Sequence, residues 1–274
     1  MPSYLITGAS RGIGFEFLRQ LSEDPSSIVI GLVRDKASTV KKVASELGGR
    51  SNIHILQGDL INYASLKKAA EDTSKITGGS LDYLIANGAV VSSNLSTHST
   101  LFKLGDNPKA LEDDLRLFYD TNVVANIHLF NLFIPLIRRG SVKKVIAIST
   151  GMADVDLVTK FDIATAAPYA LSKVGLNLVV AKYSAEFRSE GILFMSISPG
   201  LVNTSHNDVT QMTDEQRQSF GAMAAKFATY APNFKGGITT EESVNLVLKV
   251  INNASVERGD GGSFVSQFGN RQWL

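Results

Sequence analysis

Short, continuously apolar segments rich in β-branched residues alternate along this chain with longer segments of helical periodicity. Continuous apolar runs are typical of strands that helices cover on both faces, because a half-exposed strand alternates apolar and polar residues. The predicted strands lie at 4–7, 27–33, 52–56, 81–86, 142–149, 193–198 and 262–265, and the predicted helices at 13–22, 37–47, 64–76, 111–139, 166–189 and 241–252. This alternation predicts an α/β fold with a doubly wound parallel sheet and helices on both faces.

Composition narrows the class of protein. The 274 residues contain no internal repeat or linker, so we expect one domain spanning 1–274. A net charge of +1 offers no electrostatic basis for binding nucleic acid or an anionic membrane. The absence of cysteine excludes disulfides and thiolate zinc, no metal site is predicted, and a cytoplasmic protein is expected. The first residues lack the pattern of a secretory signal, and the longest uncharged stretch, 121–137, is too polar to span a bilayer.

Three glycines follow the first predicted strand, at Gly8, Gly12 and Gly14. Without side chains in the way, the backbone can approach a pyrophosphate there, and the N-terminus of the next helix can face it. A tight strand-to-helix turn without any ligand explains the same glycines. The preceding strand and Thr7 favour a nucleotide site.

Tyr169 and Lys173 are four residues apart in a helical segment. That spacing is one turn, so both side chains project from the same face. A nearby ammonium favours the ionised phenol and lowers its pKa from the usual value of about 10. Tyr-x-x-x-Lys also occurs by chance on surface helices, and its combination with the glycine turn is what favours a phenol that transfers a proton.

Together, the glycine turn and the Tyr-x-x-x-Lys pair resemble the short-chain dehydrogenase/reductase family, a single-domain Rossmann-like fold, over most of the chain. The resemblance implies that Asp59 and Leu60 contact the adenine. Ala86-Asn87-Gly88-Ala89 departs from the family's Asn-Asn-Ala-Gly, keeping Asn87 and exchanging the last two residues. The implied cofactor residues are Thr7, Gly8, Ser10, Arg11, Gly12, Ile13, Gly14, Arg34, Asp59, Leu60, Asn87, Gly88, Tyr169, Lys173, Pro199, Gly200, Val202 and Thr204.

The same resemblance implies the catalytic groups. Tyr169 exchanges a proton with the substrate oxygen, Lys173 also holds the nicotinamide ribose, and Asn122 holds a water of the proton relay. Thr150 stands where the family has the serine that polarises the substrate oxygen. It lies 19 residues before Tyr169, so 151–168 carries an insertion. Ser149 is an equally weighted alternative donor, and both hydroxyls could simply cap a turn.

Charge at the end of the second strand indicates the cofactor. Enzymes that use NAD generally place an acid there, where it takes the ribose hydroxyls and repels a 2'-phosphate. Here Val33 is followed by Arg34, and Arg11 can reach the same phosphate, so NADP(H) is preferred over NAD(H). A small register shift would instead place Asp35 at the acid position.

The predicted function is the NADPH-dependent reduction of a ketone or other carbonyl. Soft and aromatic residues in a substrate lid at about 205–236, including Met212, Phe220 and Met223, favour an apolar, ring-containing substrate, although a helix packed on the core explains their spacing equally well. The alternative is a redox-inactive relative that keeps the nucleotide as a binding module. A homodimer or homotetramer, paired through the helices at 111–139 and 166–189, is implied by the resemblance.

Overall fold

One parallel sheet forms the centre of the protein, seen here in a computed structural model that describes residues 1–204, 213–234 and 236–274. Within those residues the strand order is β3-β2-β1-β4-β5-β6-β7 and every pairing is parallel. The strands are β1 (Ser3–Thr7), β2 (Ile28–Val33), β3 (Ile53–Gln57), β4 (Tyr83–Ala86), β5 (Lys144–Ile148), β6 (Leu193–Ser198) and β7 (Phe264–Ser266). The predicted fold class is confirmed.

Helices cover both faces of this sheet. They are α1 (Gly12–Leu21), α2 (Lys36–Glu46), α3 (Tyr63–Ile76), α4 (Leu101–Leu104), α5 (Pro108–Tyr119), α6 (Ala125–Ile137), α7 (Val155–Lys160), α8 (Ala167–Phe187), α9 (Asp214–Tyr230) and α10 (Thr240–Asn253). Leu5 faces a core shared with α3, α6 and α8, while its neighbour Ile6 faces a second core shared with α1 and α10. All residues of β4, β5 and β6 are buried, which explains their continuous apolar sequences.

The strand order reverses direction between β1 and β4. In open parallel sheets, the loops that leave the carboxyl ends of strands at such a reversal diverge and leave a crevice. Here the loop after β1 carries the glycine turn, and the loop after β4 carries Asn87. The fold therefore places both motifs at one edge of the sheet.

Three predicted segments differ in detail. The helix expected at 111–139 is α5 and α6 joined by one π-helical turn, Asp120–Val124. The insertion at 151–168 folds into a 3₁₀ turn, Gly151–Ala153, followed by α7. Of the lid expected at 205–236, residues 213–230 supply a capping residue and α9, whereas 205–212, with Met212, and 235 lie outside the described residues.

Among the helices described, none is both long and apolar enough to cross a bilayer.

Candidate active site

A cavity of about 870 Å³ opens at the carboxyl edge of the sheet. Gly8 lines it from the end of β1, Asn87 from the end of β4, and Thr150 from the end of β5. A volume of this size is typical of a small-molecule site. Most of the predicted site residues line it: Gly8, Ser10, Arg11, Gly12, Ile13, Arg34, Asp59, Leu60, Asn87, Gly88, Ser149, Thr150, Tyr169, Pro199, Gly200, Val202 and Thr204.

Four predicted residues, Thr7, Gly14, Asn122 and Lys173, do not line the cavity and instead support its wall. The Thr7 hydroxyl accepts a hydrogen bond from the backbone N–H of Gly88, 2.8 Å away. A Cβ on Gly14 would lie 2.3 Å from the carbonyl oxygen of Gly8, so only glycine fits there. Thr7 and Gly14 therefore fix the shape of the glycine turn.

The exchanged pair, Gly88 and Ala89, lies where the loop after β4 meets the glycine turn. Gly8 has a φ of +68°, and a Cβ on it would lie 2.8 Å from Cα of Gly88. A Cβ on Gly88 would lie 2.9 Å from the Leu60 side chain. The two loops thus meet glycine against glycine, and Asn87 Nδ2 ties them by donating to the Thr7 carbonyl at 3.0 Å. The glycine of this tetrapeptide stands where the backbones approach most closely.

Three cationic side chains, together with the carboxylates of Asp35 and Asp59, line the end of the cavity beside α1. Helix α1 begins after Arg11 with no side-chain cap among the described residues, so its first N–H groups and the positive end of its dipole face the cavity. Arg34 and Lys42 also line this end, and Lys42 Nζ lies 3.5 Å from the Ser10 carbonyl oxygen. Uncapped N–H groups beside three cations fit the phosphates of a dinucleotide.

Asp35 follows Arg34 at the end of β2 and lines the same cavity. It is the N-cap of α2, and its Oδ1 accepts a hydrogen bond from the Ser38 N–H at 3.0 Å. Lys42, two turns farther along α2, was missed by the sequence reasoning, although helical spacing from this cap could have indicated it. Arg34, the first residue after β2, is a cation that lines the cavity.

Tyr169 lies in the first turn of α8 and lines the cavity next to Thr150, at the end that we call the reaction end. Burial raises the pKa of its phenol to about 12, and the neighbouring Thr150 hydroxyl acts in the opposite direction. Lys173 Nζ lies 6.0 Å from the centre of the Tyr169 ring and donates a 2.7 Å hydrogen bond to the Ile148 carbonyl. Burial lowers the pKa of Lys173 to about 8.

The predicted lowering of the Tyr169 pKa is therefore wrong for this structure. Desolvation of the phenol outweighs the opposing hydrogen bond with Thr150, and Lys173, itself buried, uses its Nζ to hydrogen-bond the backbone of β5. At neutral pH the phenol keeps its proton.

The two candidate hydroxyls at the end of β5 have different surroundings. Ser149 is 2% exposed, and its Oγ has no hydrogen-bond partner among the described residues. The Thr150 hydroxyl accepts a 3.3 Å hydrogen bond from the Met152 N–H, as the cap of the following 3₁₀ turn, and is close enough to Tyr169 to influence the phenol. This arrangement favours Thr150 over Ser149 as the partner of the phenol.

Asn122 connects the loop after β4 to α8. It is fully buried in the π-helical turn, where its Nδ2 donates to the Val90 carbonyl at 2.8 Å and to the Ser172 hydroxyl at 2.9 Å. Its Oδ1 accepts from the Val90 N–H at 2.9 Å, and Ser172 donates to the Tyr169 carbonyl at 2.7 Å. The π-helical turn thus anchors the helix that carries Tyr169.

The other end of the cavity is lined by apolar side chains and a few polar ones. Phe220, Met223 and Phe227 come from α9, and Met152 from the insertion. His98, in the loop after β4, also lines it, and burial lowers the pKa of its imidazole. The Ser219 hydroxyl holds α9 to this loop by donating to the His98 carbonyl at 3.0 Å. Sequence reasoning missed His98, for which only the length of the loop was a signal.

Comparisons with known proteins agree with this geometry. The family model described as short chain dehydrogenase matches residues 3–215. The short chain dehydrogenase virK of Hypocrea virens is 54% identical, and the short-chain dehydrogenase/reductase iacC of Pestalotiopsis fici is 51% identical, each over 100% of both chains. An NADPH-bound carbonyl reductase from chicken fatty liver matches with a TM-score of 0.75 and 25% identity over 98% of each chain. The chain belongs to the short-chain dehydrogenase/reductase family of NAD(P)-dependent oxidoreductases.

Proposed function

We propose that this enzyme uses NADPH to reduce a ketone or other carbonyl of a small, apolar or aromatic substrate to an alcohol. The observation that carries the proposal is one cavity with two chemically different ends. A protonated phenol beside the Thr150 hydroxyl stands at one end, and Arg11, Arg34 and Lys42 stand at the other. The NADPH-bound carbonyl reductase with a similar fold supports the choice of cofactor and reaction.

The protein's part in the reaction is to move a proton and to stabilise negative charge. Tyr169 keeps its proton at neutral pH and donates it to the substrate oxygen, while Thr150 donates a hydrogen bond to the same atom. Lys173 is charged below about pH 8 and stabilises the phenolate left after the transfer. Asn122 positions α8, and Ser149 is the less favoured donor. A bound NADPH supplies the hydride that reaches the carbonyl carbon.

Two groups of residues would hold the cofactor. Beside α1, the uncapped N–H groups and Ser10 would take the pyrophosphate, and Asp59 and Leu60 would contact the adenine. At the reaction end, the loop after β6 would hold the nicotinamide through Pro199, Gly200, Val202 and Thr204. We propose that 205–236 is the substrate lid, because Phe220, Met223 and Phe227 of α9 line the cavity.

Replacing Arg34 by Ala is expected to raise the KM for NADPH roughly tenfold to a hundredfold, because a charge-assisted hydrogen bond contributes about 1.5 to 3 kcal/mol. The KM for NADH should be almost unchanged, since NADH has no 2'-phosphate. Lys36→Ala is the matched control, because Lys36 is an exposed cation on α2 that does not line the cavity. An equal loss with both cofactors would assign Arg34 to the fold, and a wild-type preference for NADH would refute the NADPH proposal.

Substrate-dependent consumption of NADPH tests the reaction itself. The purified protein is mixed with NADPH and a panel of ketones, quinones and aldehydes, and the loss of nicotinamide absorbance is followed. We expect turnover with at least one apolar or aromatic carbonyl compound. NADPH binding without any turnover across the panel would instead favour the redox-inactive binding module.

We also propose that the enzyme is a cytoplasmic homodimer or homotetramer paired through α8 and the helical segment 111–139, which contains α5 and α6. Leu171, Val174 and Leu178 form an exposed apolar stripe on α8, and Leu178 is 61% exposed. Sedimentation equilibrium should give a dimer or tetramer for the wild type and a smaller species for Leu178→Glu. A wild-type monomer would refute the proposed assembly.

The cytoplasmic location is tested separately with a fluorescent fusion of the protein. Finding the fusion in an organelle would refute the location.

A further inference from the structure

The C-terminal tail packs on the insertion that precedes α8. Trp273, the single tryptophan of the chain, is 3% exposed although it is the penultimate residue. Its Nε1 donates a 2.6 Å hydrogen bond to Oδ2 of Asp154, and its ring stacks on Phe264 with centroids 4.5 Å apart. These contacts bury almost all of the indole and satisfy its N–H.

Trp273 also contacts the turn that carries the Thr150 hydroxyl. A Cβ on Gly151 would lie 2.7 Å from Cβ and 2.9 Å from Cγ of Trp273, so the indole lies directly against the backbone that follows Thr150. On its other side this turn is held by β6, because the Gly151 N–H donates to the Ser198 hydroxyl at 3.0 Å. The turn is therefore fixed between the sheet and the tail.

The same tail holds the end of α9. The Trp273 backbone N–H donates to the Tyr230 hydroxyl at 2.9 Å, and Tyr230 is the last residue of that helix. Met223 and Phe227, on the same helix, both line the cavity and pack in the small core around Trp273. Trp273 thus contacts both the turn that follows Thr150 and helix α9, whose side chains line the cavity.

Asp154 is the hydrogen-bond acceptor that fixes the position of the Trp273 indole. The carboxylate is 5% exposed, and it caps α7 by accepting from the Asp156 N–H at 3.1 Å. It also accepts from Arg271 Nη2 at 2.7 Å and from the indole of Trp273. A buried carboxylate needs such donors, because leaving it without them is costly. The insertion and the tail consequently stabilise each other.

We propose that Trp273 is a positioning residue that holds the Thr150 turn and the end of α9 in one fixed arrangement, so that the Thr150 hydroxyl stays beside Tyr169. Its docking on Asp154 and Tyr230 stands on the contacts alone, whereas its effect on turnover rests on the proposed function. Misplacing a reacting group by about 1 Å can cost on the order of a hundredfold in rate. Loss of the indole should therefore lower kcat and leave the affinity for the cofactor unchanged.

Fluorescence tests the docking without any substrate, because Trp273 is the only tryptophan. We expect blue-shifted wild-type emission that acrylamide quenches poorly. Asp154→Ala and Tyr230→Phe should shift the emission to longer wavelength and increase quenching while far-ultraviolet circular dichroism is unchanged. Gln272→Ala, an exposed neighbour in the tail, is the control and should leave both signals unaltered. Wild-type emission typical of an exposed indole, or variants that quench like the wild type, would overturn the docking.

Kinetics test the positioning role. Trp273→Ala should lower kcat on the order of tenfold to a hundredfold with an unchanged KM for NADPH, and Trp273→Phe, which keeps the stacking, should recover most of the loss. In Thr150→Ala, adding Trp273→Ala should cause little further loss, because the hydroxyl to be positioned is gone. Additive losses, or a loss confined to the KM for NADPH, would overturn the role. A wild type without reductase activity would refute the proposed function, while the emission experiment would still decide the docking.

Discussion

Tyr169→Phe is expected to lower kcat by about 10²- to 10⁴-fold, because the variant lacks the proton that the substrate oxygen must receive. Phenylalanine keeps the ring, which packs against Phe118 with centroids 6.1 Å apart, so the fold and NADPH binding should be preserved. Steady-state oxidation of NADPH with the best substrate of the panel measures the loss. A fluorescence titration with NADPH measures binding.

Tyr119→Phe is the matched control for this experiment. Tyr119 ends α5, is 51% exposed and does not line the cavity, so its phenol should be dispensable. Near-normal turnover in Tyr169→Phe would remove the phenol from the mechanism. A comparable loss in Tyr119→Phe would indicate a structural effect of phenol removal instead of a lost proton donor.

Asp82→Ala is expected to lower the free energy of unfolding by roughly 3 to 4 kcal/mol, because the N–H and hydroxyl donors of Ser3 and Ser141 lose their acceptor. Asp82 is 6% exposed and immediately precedes β4. One of its oxygens accepts from the N–H and hydroxyl of Ser3 at 2.9 and 3.0 Å, and the other from those of Ser141 at 2.8 and 2.9 Å. The carboxylate thus joins β1, β4 and the approach to β5. Urea unfolding at pH 7 measures the change.

The effect of Asp82 should depend on pH. Burial acts to raise the pKa of Asp82, but the hydrogen bonds from Ser141 and Ser3 together outweigh it, so the pKa lies below its ordinary value. A carboxyl group with a depressed pKa stabilises the fold above its unfolded pKa of about 4, and this contribution is lost as the pH falls through the folded pKa. The difference in unfolding free energy between wild type and Asp82→Ala should therefore narrow below about pH 4.

Asp72→Ala is the control for the stability experiment. Asp72 pairs with Lys68 on the surface of α3, where solvent screens the ion pair and its contribution to stability is small. A large loss in this variant would show that carboxylates in general, and not the buried one, stabilise the protein. A destabilisation by Asp82→Ala that stays constant down to low pH would contradict the role of its charge.

The strands could be predicted from the sequence because strands buried on both faces have continuous apolar sequences. The site motifs could be predicted because Gly8, Gly12 and Gly14 and the Tyr169 and Lys173 pair are local patterns. The π-helical turn at Asp120–Val124 could not, because the apolar periodicity continues through it. The raised pKa of Tyr169 depends on burial by distant segments, and the contact of Trp273 with Asp154 joins residues with no pattern in common.

Transfer of deuterium from labelled cofactor to product tests the central claim most directly. NADPH carrying deuterium at the transferable position of its nicotinamide is incubated with the enzyme and the best carbonyl substrate, and the product is analysed by mass spectrometry and NMR. We expect an alcohol with one deuterium on the carbinol carbon, formed by the wild type and greatly reduced in Tyr169→Phe. An alcohol without deuterium, or label equally abundant in the product of Tyr169→Phe at the wild-type rate, would contradict carbonyl reduction assisted by this phenol.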